Sequence, residues 1–129
     1  MIKIDNILFK LEGKDLEILA SDLESTLMSK IHLEHVSEGG SITISSKLLI
    51  DTLKEFPEQQ LTFDINLETL AIVINSENGQ FTIIGAHSED FPQLPSLNED
   101  LKTSIFVNSD VLENGISKTI FATADDELR

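Results

Sequence analysis

Residues 40–57 have the sequence GSITISSKLLIDTLKEFP, in which two hydrophobic periods follow one another. Ile42 and Ile44 alternate with polar residues, the period of two that indicates a strand with one buried face. After them the apolar residues fall on one side of a helix, with Ser46 as its predicted N-cap and Pro57 as the residue that stops it. The stretch therefore predicts a strand that leads directly into a short amphipathic helix.

The same alternation recurs in other segments, which turn residues such as Gly13 separate. Asn78-Gly79 is a hairpin signal because both residues tolerate positive φ. A second helix is predicted to start near Ser109, where apolar residues again recur at helical spacing. The further segments that predict strands are Ile7-Phe9-Leu11, Leu16-Ile18, Leu61-Phe63-Ile65, Leu70-Ile72-Ile74, Phe81-Ile83 and Ile105-Val107.

Comparison of the chain with itself indicates an internal repeat. A shift of 63 residues places the strand and helix that begin at Ile42 on those that begin at Ile105, and a shift of 54 places Phe9 on Phe63 and Leu16 on Leu70. Together these offsets predict a βαβββ module of about sixty residues, whose first copy lacks its opening strand and helix. We expect an α+β fold with antiparallel sheets and two helices.

Composition limits the classes of function. The 129 residues, 40% of them hydrophobic, are enough for one compact domain. The 9 Lys and Arg against 23 Asp and Glu give a net charge of -14, which repels a polyanion unless the few cations gather on one face. With no Cys, disulfides, thiolate metal sites and a Cys nucleophile are excluded. No leader or membrane-spanning stretch is evident, so we expect a soluble, cytoplasmic protein.

Residues that could bind a metal or perform catalysis are not arranged for either task. His32, His35 and His87 lack the tight spacing of metal ligands, which favours surface histidines. Asp22 and Glu24 have no nucleophile or base beside them, as paired catalytic carboxylates would require. We therefore expect no cofactor, no metal and no enzymatic activity.

Five motifs, in order along nearly the whole chain, resemble those of the bacterial DNA sliding clamp, the beta subunit of DNA polymerase III. The resemblance implies domains of two βαβββ halves, with three domains to a subunit and two subunits closed head to tail around duplex DNA. The motifs are Asp5-Asn6-Ile7-Leu8, Ala20-Ser21-Asp22-Leu23-Glu24, Gly40-Ser41-Ile42-Thr43-Ile44 with Lys47-Leu48-Leu49-Ile50-Asp51, Glu89-Asp90-Phe91-Pro92-Gln93-Leu94-Pro95, and Lys118-Thr119-Ile120-Phe121-Ala122 with Asp125-Asp126-Glu127-Leu128-Arg129.

The resemblance covers about a third of a clamp subunit. It implies that residues 1–101 are the first clamp domain without its opening strand and helix, and that residues 102–129 are the first strand and helix of the second. Because the repeat is out of phase, residues 102–129 are also candidates to complete the first domain as a permuted fold. The segment from Ser88 to Lys102 is long enough to connect them.

The resemblance also implies roles for individual residues. Lys47, Lys54 and Lys118 match positions that face the DNA, although Asp110 occupies the place where the repeat would put Lys47. A clamp slides on non-specific phosphate contacts, which scattered cations on helices supply. The alternative for each lysine is a solvated helix face.

The remaining implied sites are interfaces with proteins. Phe81 and Ile83 match the subunit interface of the ring, against the alternative that they belong to the core. Arg129 matches the rim of the groove that binds peptides of DNA polymerase III and the clamp loader. The expected partners are thus duplex DNA, these proteins and further copies of the chain, with no membrane. A non-catalytic interaction module, or a degenerate clamp fragment without DNA function, is the alternative.

Overall fold

The structure, a computed structural model, describes residues 5–94 and 98–123. The chain divides into two compact units, residues 1–94 and 95–129. The predicted division after residue 101 falls inside the second unit, and its assignment to two clamp domains stays a prediction.

The first unit contains two antiparallel sheets and one helix. The first sheet has the strand order β3-β2-β1-β4 and contains β1 (Asn6–Glu12), β2 (Asp15–Ser21), β3 (Thr26–His32) and β4 (Gly40–Ser45). Helix α1 (Ser46–Lys54) follows β4. The second sheet has the order β5-β6-β7 and contains β5 (Thr62–Asn66), β6 (Ala71–Ser76) and β7 (Gly79–Ile84). The predicted antiparallel α+β class is confirmed.

Helix α1 begins one residue away from its predicted cap. Ser45, not Ser46, is the N-cap, and its hydroxyl oxygen accepts a hydrogen bond from the amide of Leu48. The Ser46 hydroxyl instead donates to the carbonyl oxygen of Asp5 at 2.8 Å and ties the helix start to β1. The prediction of Ser46 was wrong because adjacent serines are equally able to cap, and only the path of the backbone distinguishes them.

The hairpin between β6 and β7 forms as predicted, but for a different reason. Its two loop residues are Glu77 and Asn78, and Gly79 is already paired with Ser76. Neither Asn78 nor Gly79 adopts positive φ, so the hairpin does not use the tolerance of positive φ on which its prediction rested. In the β1–β2 turn, by contrast, Gly13 has a φ of 60°, a conformation that glycine adopts without steric cost.

The core of the first unit lies between the two sheets and α1. Half-buried side chains, among them Phe9, Phe56 and Phe63, pack around it. Its buried members are Ile42 and Ile44 of β4, Leu49 of α1, Ile72 and Ile74 of β6, and Ile83 of β7. The predicted strand and helix at residues 40–57 therefore supply half of the buried core.

Residues 85–91, which we call the strap, connect the second sheet to the first. Ala86 pairs with Thr43 of β4 through two backbone hydrogen bonds, of 2.8 and 3.0 Å. The amide of Gly85 donates to the carbonyl oxygen of Leu70, and the Thr43 hydroxyl donates to the carbonyl oxygen of His87. The bonds of Ala86 and His87 give β4 a second neighbour beside β1, and the bond of Gly85 holds the end of β7 next to the start of β6.

In the second unit, helix α2 (Ser109–Ser117) forms as predicted. Asn108 is its N-cap, with its side-chain oxygen accepting from the amide of Asp110. The strand predicted at Ile105-Val107 is not observed, because residues 102–108 pair with no strand in the described parts of the chain. An alternating pattern shows that a segment is suited to be a strand, but a strand of a sheet also needs a neighbouring strand with which to form hydrogen bonds.

The repeat agrees with the structure in part. Helices α1 and α2 both have nine residues and begin 63 positions apart. Phe9 pairs with Ile18, whereas Phe63 pairs with Ile74, so an offset of 54 relates β1 to β5 but an offset of 56 relates β2 to β6. The longer β5–β6 loop causes this difference. One βαβββ unit runs from β4 to β7, and its repetition stays a prediction.

Candidate nucleic-acid and subunit interfaces

Helix α1 presents two lysines on one side. Lys47 lies in its first turn and Lys54 is its last residue, and both side chains are exposed. Seven residues make almost two full turns, so the two ammonium groups project from the same side of the helix. This side is the best candidate for phosphate contact in the described part of the chain.

The lysines of the first sheet are neutralised by carboxylates, unlike those of α1. Lys10 lies 2.9 Å from the Glu12 carboxylate, and Lys30 lies 3.1 Å from that of Glu17. The hydrogen bond between Lys10 and Glu12 raises the pKa of the lysine and lowers that of the carboxyl. Lys47 and Lys54 form no ion pair with another described residue, which leaves their charges available to a ligand.

Asp51 reduces the positive charge of this side of α1. It lies four residues after Lys47 and three before Lys54, and these spacings place its carboxylate between the two lysines. The net charge of the three side chains is therefore +1. Asp51 was not among the site residues predicted from the sequence, although helical spacing alone places it between the two lysines. Any attraction of DNA to α1 must be weak.

Lys118 belongs to the second unit, at the C-terminal end of α2. Its backbone N–H donates to the carbonyl oxygens of Asn114 and Ile116, and its side chain is exposed. Acidic Asp110 lies in the first turn of the same helix. Helix α2 thus lacks the pair of lysines that α1 carries.

Strand β7 is an edge strand of the second sheet and carries Phe81 and Ile83 on one face. Phe81 is 45% exposed and meets the Phe56 ring edge to face, with 6.4 Å between ring centroids. Ile83 is only 4% exposed and is part of the core. Phe81 is therefore free to contact a partner, whereas Ile83 is occupied within its own unit. Ile84, on the opposite face, is also exposed and was not predicted as an interface residue.

An open cavity of about 290 Å³ adjoins Phe81. It lies between the end of α1 and the β6–β7 turn, and Phe56, Pro57 and Gln59 line one side of it. A partner that covered Phe81 would also cover this cavity.

The histidines do not form a metal site in the described residues. His32 lies 3.0 Å from the Asp15 carboxylate, and this hydrogen bond lowers the pKa of the aspartate. Within residues 5–94 and 98–123, no group of three or more His, Asp or Glu side chains is placed to hold a metal ion. No helix in the same residues is long and apolar enough to cross a membrane.

Comparison with known proteins identifies the family. The family model for the DNA polymerase III beta subunit, N-terminal domain, matches residues 3–95. The chain belongs to the DNA polymerase III beta subunit family. The beta sliding clamp of Pseudomonas aeruginosa is 30% identical over 126 residues, which cover 98% of this chain and 34% of that protein. The beta sliding clamp of Vibrio harveyi is 31% identical over 119 residues, which cover 92% of this chain and 80% of that sequence.

Solved structures of beta subunits have the same fold. The DNA polymerase III subunit beta of Pseudomonas aeruginosa superposes with a TM-score of 0.77 at 28% identity, over 98% of this chain and 34% of that one. The beta chain of Streptococcus pneumoniae gives a TM-score of 0.83 at 20% identity, with the same coverage. The chain spans about a third of the length of these beta subunits. Both curated relatives are named as sliding clamps and not as enzymes.

Family membership leaves the roles of single residues open. Arg129, the predicted rim of the peptide groove, lies outside the described residues. Lys47, Lys54 and Phe81 have the exposure that their predicted roles require, and Ile83 does not. These positions are carried forward as proposals.

Proposed function

We propose that this chain is the part of a DNA sliding clamp that lines one sector of the ring, with α1 facing the DNA. The observation that carries the proposal is the pair of exposed lysines, Lys47 and Lys54, on one side of a helix whose other side is anchored in the core by Leu49. Lys118 is a third proposed contact, from α2. The ring itself, encirclement of duplex DNA and processivity of DNA polymerase III are proposed from the family.

Such contacts suit sliding because they do not depend on base sequence. Each phosphate neutralised by a lysine releases condensed counterions, so the logarithm of affinity falls with the logarithm of salt with a slope of about -0.9 per contact. Two contacts from α1 predict a slope of about -2. Weak, salt-sensitive binding holds a ring on DNA without fixing its position.

The test is fluorescence anisotropy of a labelled duplex across a salt series. We expect weak binding that is independent of base sequence, with a slope of about -2.7 for the natural chain when Lys118 adds its contact to the two from α1. The double substitution Lys47→Gln and Lys54→Gln should reduce the slope to about -1, the share of Lys118. Asp51→Asn should strengthen binding because it removes the one negative charge between the lysines.

A matched control removes the same total charge elsewhere. Lys10→Gln with Lys14→Gln takes two cations from the β1–β2 hairpin, on the first sheet, and should leave DNA binding unchanged. If the hairpin variant weakens binding as much as the helix variant does, then net charge alone governs binding and α1 does not face the DNA.

The proposed protein partners follow from the edges of the fold. Phe81, at the exposed edge of β7, is proposed to contact the next subunit, with Ile83 beneath it supporting the strand. Arg129 is proposed to border the groove for peptides of the polymerase and the clamp loader. We propose a non-catalytic, cofactor-free role in the cytoplasm.

A protein-interaction module without DNA binding is the second candidate. The net charge of -14 and the position of Asp51 both favour it. The anisotropy experiment separates the two, because this alternative predicts no binding to duplex DNA even at low salt.

A further inference from the structure

The chain contains the same reactive dipeptide in two different backbone settings. Asn78-Gly79 lies at the turn between β6 and β7, and Asn114-Gly115 lies inside helix α2. In such a pair the backbone nitrogen of the glycine can attack the side-chain amide carbon of the asparagine, because glycine has no Cβ atom to obstruct the approach. At both glycines, no described atom beyond the adjoining backbone lies within 4 Å of the place that a Cβ would take. Local crowding is therefore the same, and the backbone setting determines which pair reacts.

The hairpin setting holds Asn78 and Gly79 weakly. Their loop consists of Glu77 and Asn78, and neither of these residues nor Gly79 has positive φ. A two-residue loop matches the right-handed twist of its strands when it adopts the positive φ of a type I′ or II′ turn, and other turns splay the strands. The pair that closes this loop, Ser76 with Gly79, is at the frayed end of the strand ladder, where opening costs little free energy.

The side chain of Asn78 is free to rotate. It is exposed and forms no hydrogen bond with another described residue. The amide of Glu77 donates to Oε1 of Gln59 at 3.0 Å, which anchors the residue before it. The hydroxyl of Ser76 donates to the carbonyl oxygen of Gly79 at 2.9 Å. Neither bond restrains the Asn78 side chain, so its amide carbon can reach the nitrogen of Gly79 when the loop opens.

Helix α2 holds Asn114 and Gly115 in place. Backbone amides inside an α-helix donate to the carbonyl four residues earlier, which fixes the orientation of each nitrogen. The carbonyl oxygen of Asn114 accepts from the amide of Lys118 at 3.2 Å, and that of Gly115 accepts from the hydroxyl of Thr119 at 3.2 Å. The nitrogen of Gly115 can turn towards the Asn114 side chain only if the last turn of the helix opens.

We propose that Asn78 is a site of spontaneous deamidation, and that the fold protects Asn114 from the same reaction. The nitrogen of Gly79 loses its proton to a base in the solvent and forms a bond to Cγ of Asn78. The side-chain nitrogen takes a proton from water and leaves as ammonia, which closes a succinimide ring. Water then opens the ring at either carbonyl and gives aspartate or isoaspartate. Water is the one co-reactant, and asparagine is among the residues that limit the thermal lifetime of proteins.

The products change the loop in charge and in length. Each adds a negative charge to the wall of a cavity that Glu55 also lines, next to Glu77 in the chain. Isoaspartate also routes the backbone through the side-chain carbon and so lengthens the loop that precedes β7. Any effect on a subunit contact at Phe81, two residues beyond Gly79, rests on the proposed function, whereas the reaction itself does not.

The two Asn-Gly sequences can be compared within one sample. The full chain is incubated in mildly alkaline buffer, where more of the backbone amide is deprotonated, and in parallel in concentrated guanidinium chloride. Tandem mass spectrometry measures, at each asparagine, the mass gained when the side-chain amino group is replaced by hydroxyl. In the folded chain we expect Asn78 to react at least about ten times faster than Asn114, because only the helix must open before the attack. In the denaturant the two should react at equal rates.

Two results would overturn the proposal. One is a folded chain in which Asn114 reacts as fast as Asn78 or faster. The other is a folded chain in which Asn78 does not react although both asparagines react in the denaturant, since the hairpin would then protect Asn78 as the helix protects Asn114.

Matched alanine variants test the part played by each glycine. Gly79→Ala places its Cβ in open space, so the fold should be retained, and it should slow the reaction at Asn78 by at least about tenfold by obstructing the attack. Gly115→Ala, also in open space, should leave the rate at Asn78 unchanged. Gly79→Ala with the natural rate at Asn78 would show that the nitrogen of residue 79 is not the nucleophile.

The isoaspartate product gives a second readout. It can be labelled by an isoaspartyl methyltransferase, which does not label aspartate. The incubated natural chain should become labelled at residue 78, whereas Asn78→Gln, whose longer side chain would have to close a larger ring, should stay unlabelled at this position. A natural chain that loses ammonia at Asn78 without forming isoaspartate would contradict the succinimide route. The lysines of α1 take no part in this chemistry, so these results are independent of the DNA-binding experiments.

Discussion

The strap can be tested by adding a single methyl group at Gly85. A Cβ atom at this position would lie 2.7 Å from the carbonyl oxygen of Thr43 and 2.8 Å from the Cδ1 atom of Ile42. The first of these is a backbone atom and the second belongs to a buried side chain, so neither can move aside at low cost. Gly85→Ala must therefore displace the strap or β4.

The size of the effect follows from what the displacement disrupts. Overpacking of this kind costs about 1–3 kcal/mol. Displacing the strap also weakens the hydrogen bond from the Gly85 amide to Leu70 and those between Ala86 and Thr43, each worth about 0.5–1.5 kcal/mol. We expect Gly85→Ala to lower the free energy of unfolding by about 2–4 kcal/mol, a large share of the 5–15 kcal/mol typical of a domain.

Urea denaturation followed by circular dichroism measures this change. With an m-value of about 2 kcal/mol/M, the midpoint should fall by about 1–2 M while m is unchanged. Gly79→Ala is the matched control, because no atom lies within 4 Å of its added Cβ and its φ is negative or extended. A Gly85→Ala variant with the natural midpoint would refute the role given to the strap.

Three further predictions concern stability. Leu23 has a φ of 79° and an exposed side chain, so Leu23→Gly should raise the free energy of unfolding by about 0.5–1 kcal/mol; a lower melting temperature would contradict this. Ile74→Ala should cost about 2–5 kcal/mol because Ile74 is fully buried, whereas Ile84→Ala, at an exposed position on the neighbouring strand, should cost less than about 0.5 kcal/mol in the same urea titration. Backbone N–H groups, first that of Ser25, donate to the Asp22 carboxylate and lower its pKa from 3.8, so its contribution to stability is present above pH 3.8 and is lost as the pH falls through the lowered value. The difference in urea midpoint between the natural chain and Asp22→Ala should therefore shrink in acid, and a difference that is constant with pH would show that the carboxylate's charge is not involved.

The sequence was sufficient for strands that bury one face. The alternation of Ile42 with Ile44, and of Ile72 with Ile74, predicted strands whose apolar residues are among the most buried of the described residues. The start of α2 was also predictable, because apolar residues recur at helical spacing from just after Ser109. Where one face of a strand or helix is buried, that face carries apolar residues, and their spacing along the sequence shows whether the segment is a strand or a helix.

Strand β3 could not be predicted because neither of its faces is buried. All seven residues of Thr26–His32 are exposed, so no alternation distinguishes an inner face from an outer one. The error at Ile105-Val107 is the converse, an alternating pattern without a partner strand in the described residues. Strand pairing depends on two segments of the chain. The pattern of one segment therefore fails to predict some strands that pair, and predicts others that have no partner.

The candidate site shows the same limits. The exposure of Lys47 and Lys54 followed from helical spacing, because residues opposite the buried Leu49 must face solvent. The difference between Phe81 and Ile83 did not follow, since they share one face of β7 and differ only in how far the core extends beneath it. How deeply each residue of a strand is buried depends on which elements pack against it, and the alternation of apolar residues does not contain this information.

The claim that α1 faces the DNA is tested most directly by residue-resolved mapping in solution. Amide chemical shifts of the ¹⁵N-labelled chain are followed as a short duplex is added at low salt. We predict that shift changes concentrate in Ser46–Lys54 and fade as salt is raised. No change at any residue, or changes centred on another element such as β3, would contradict the placement of α1 against DNA.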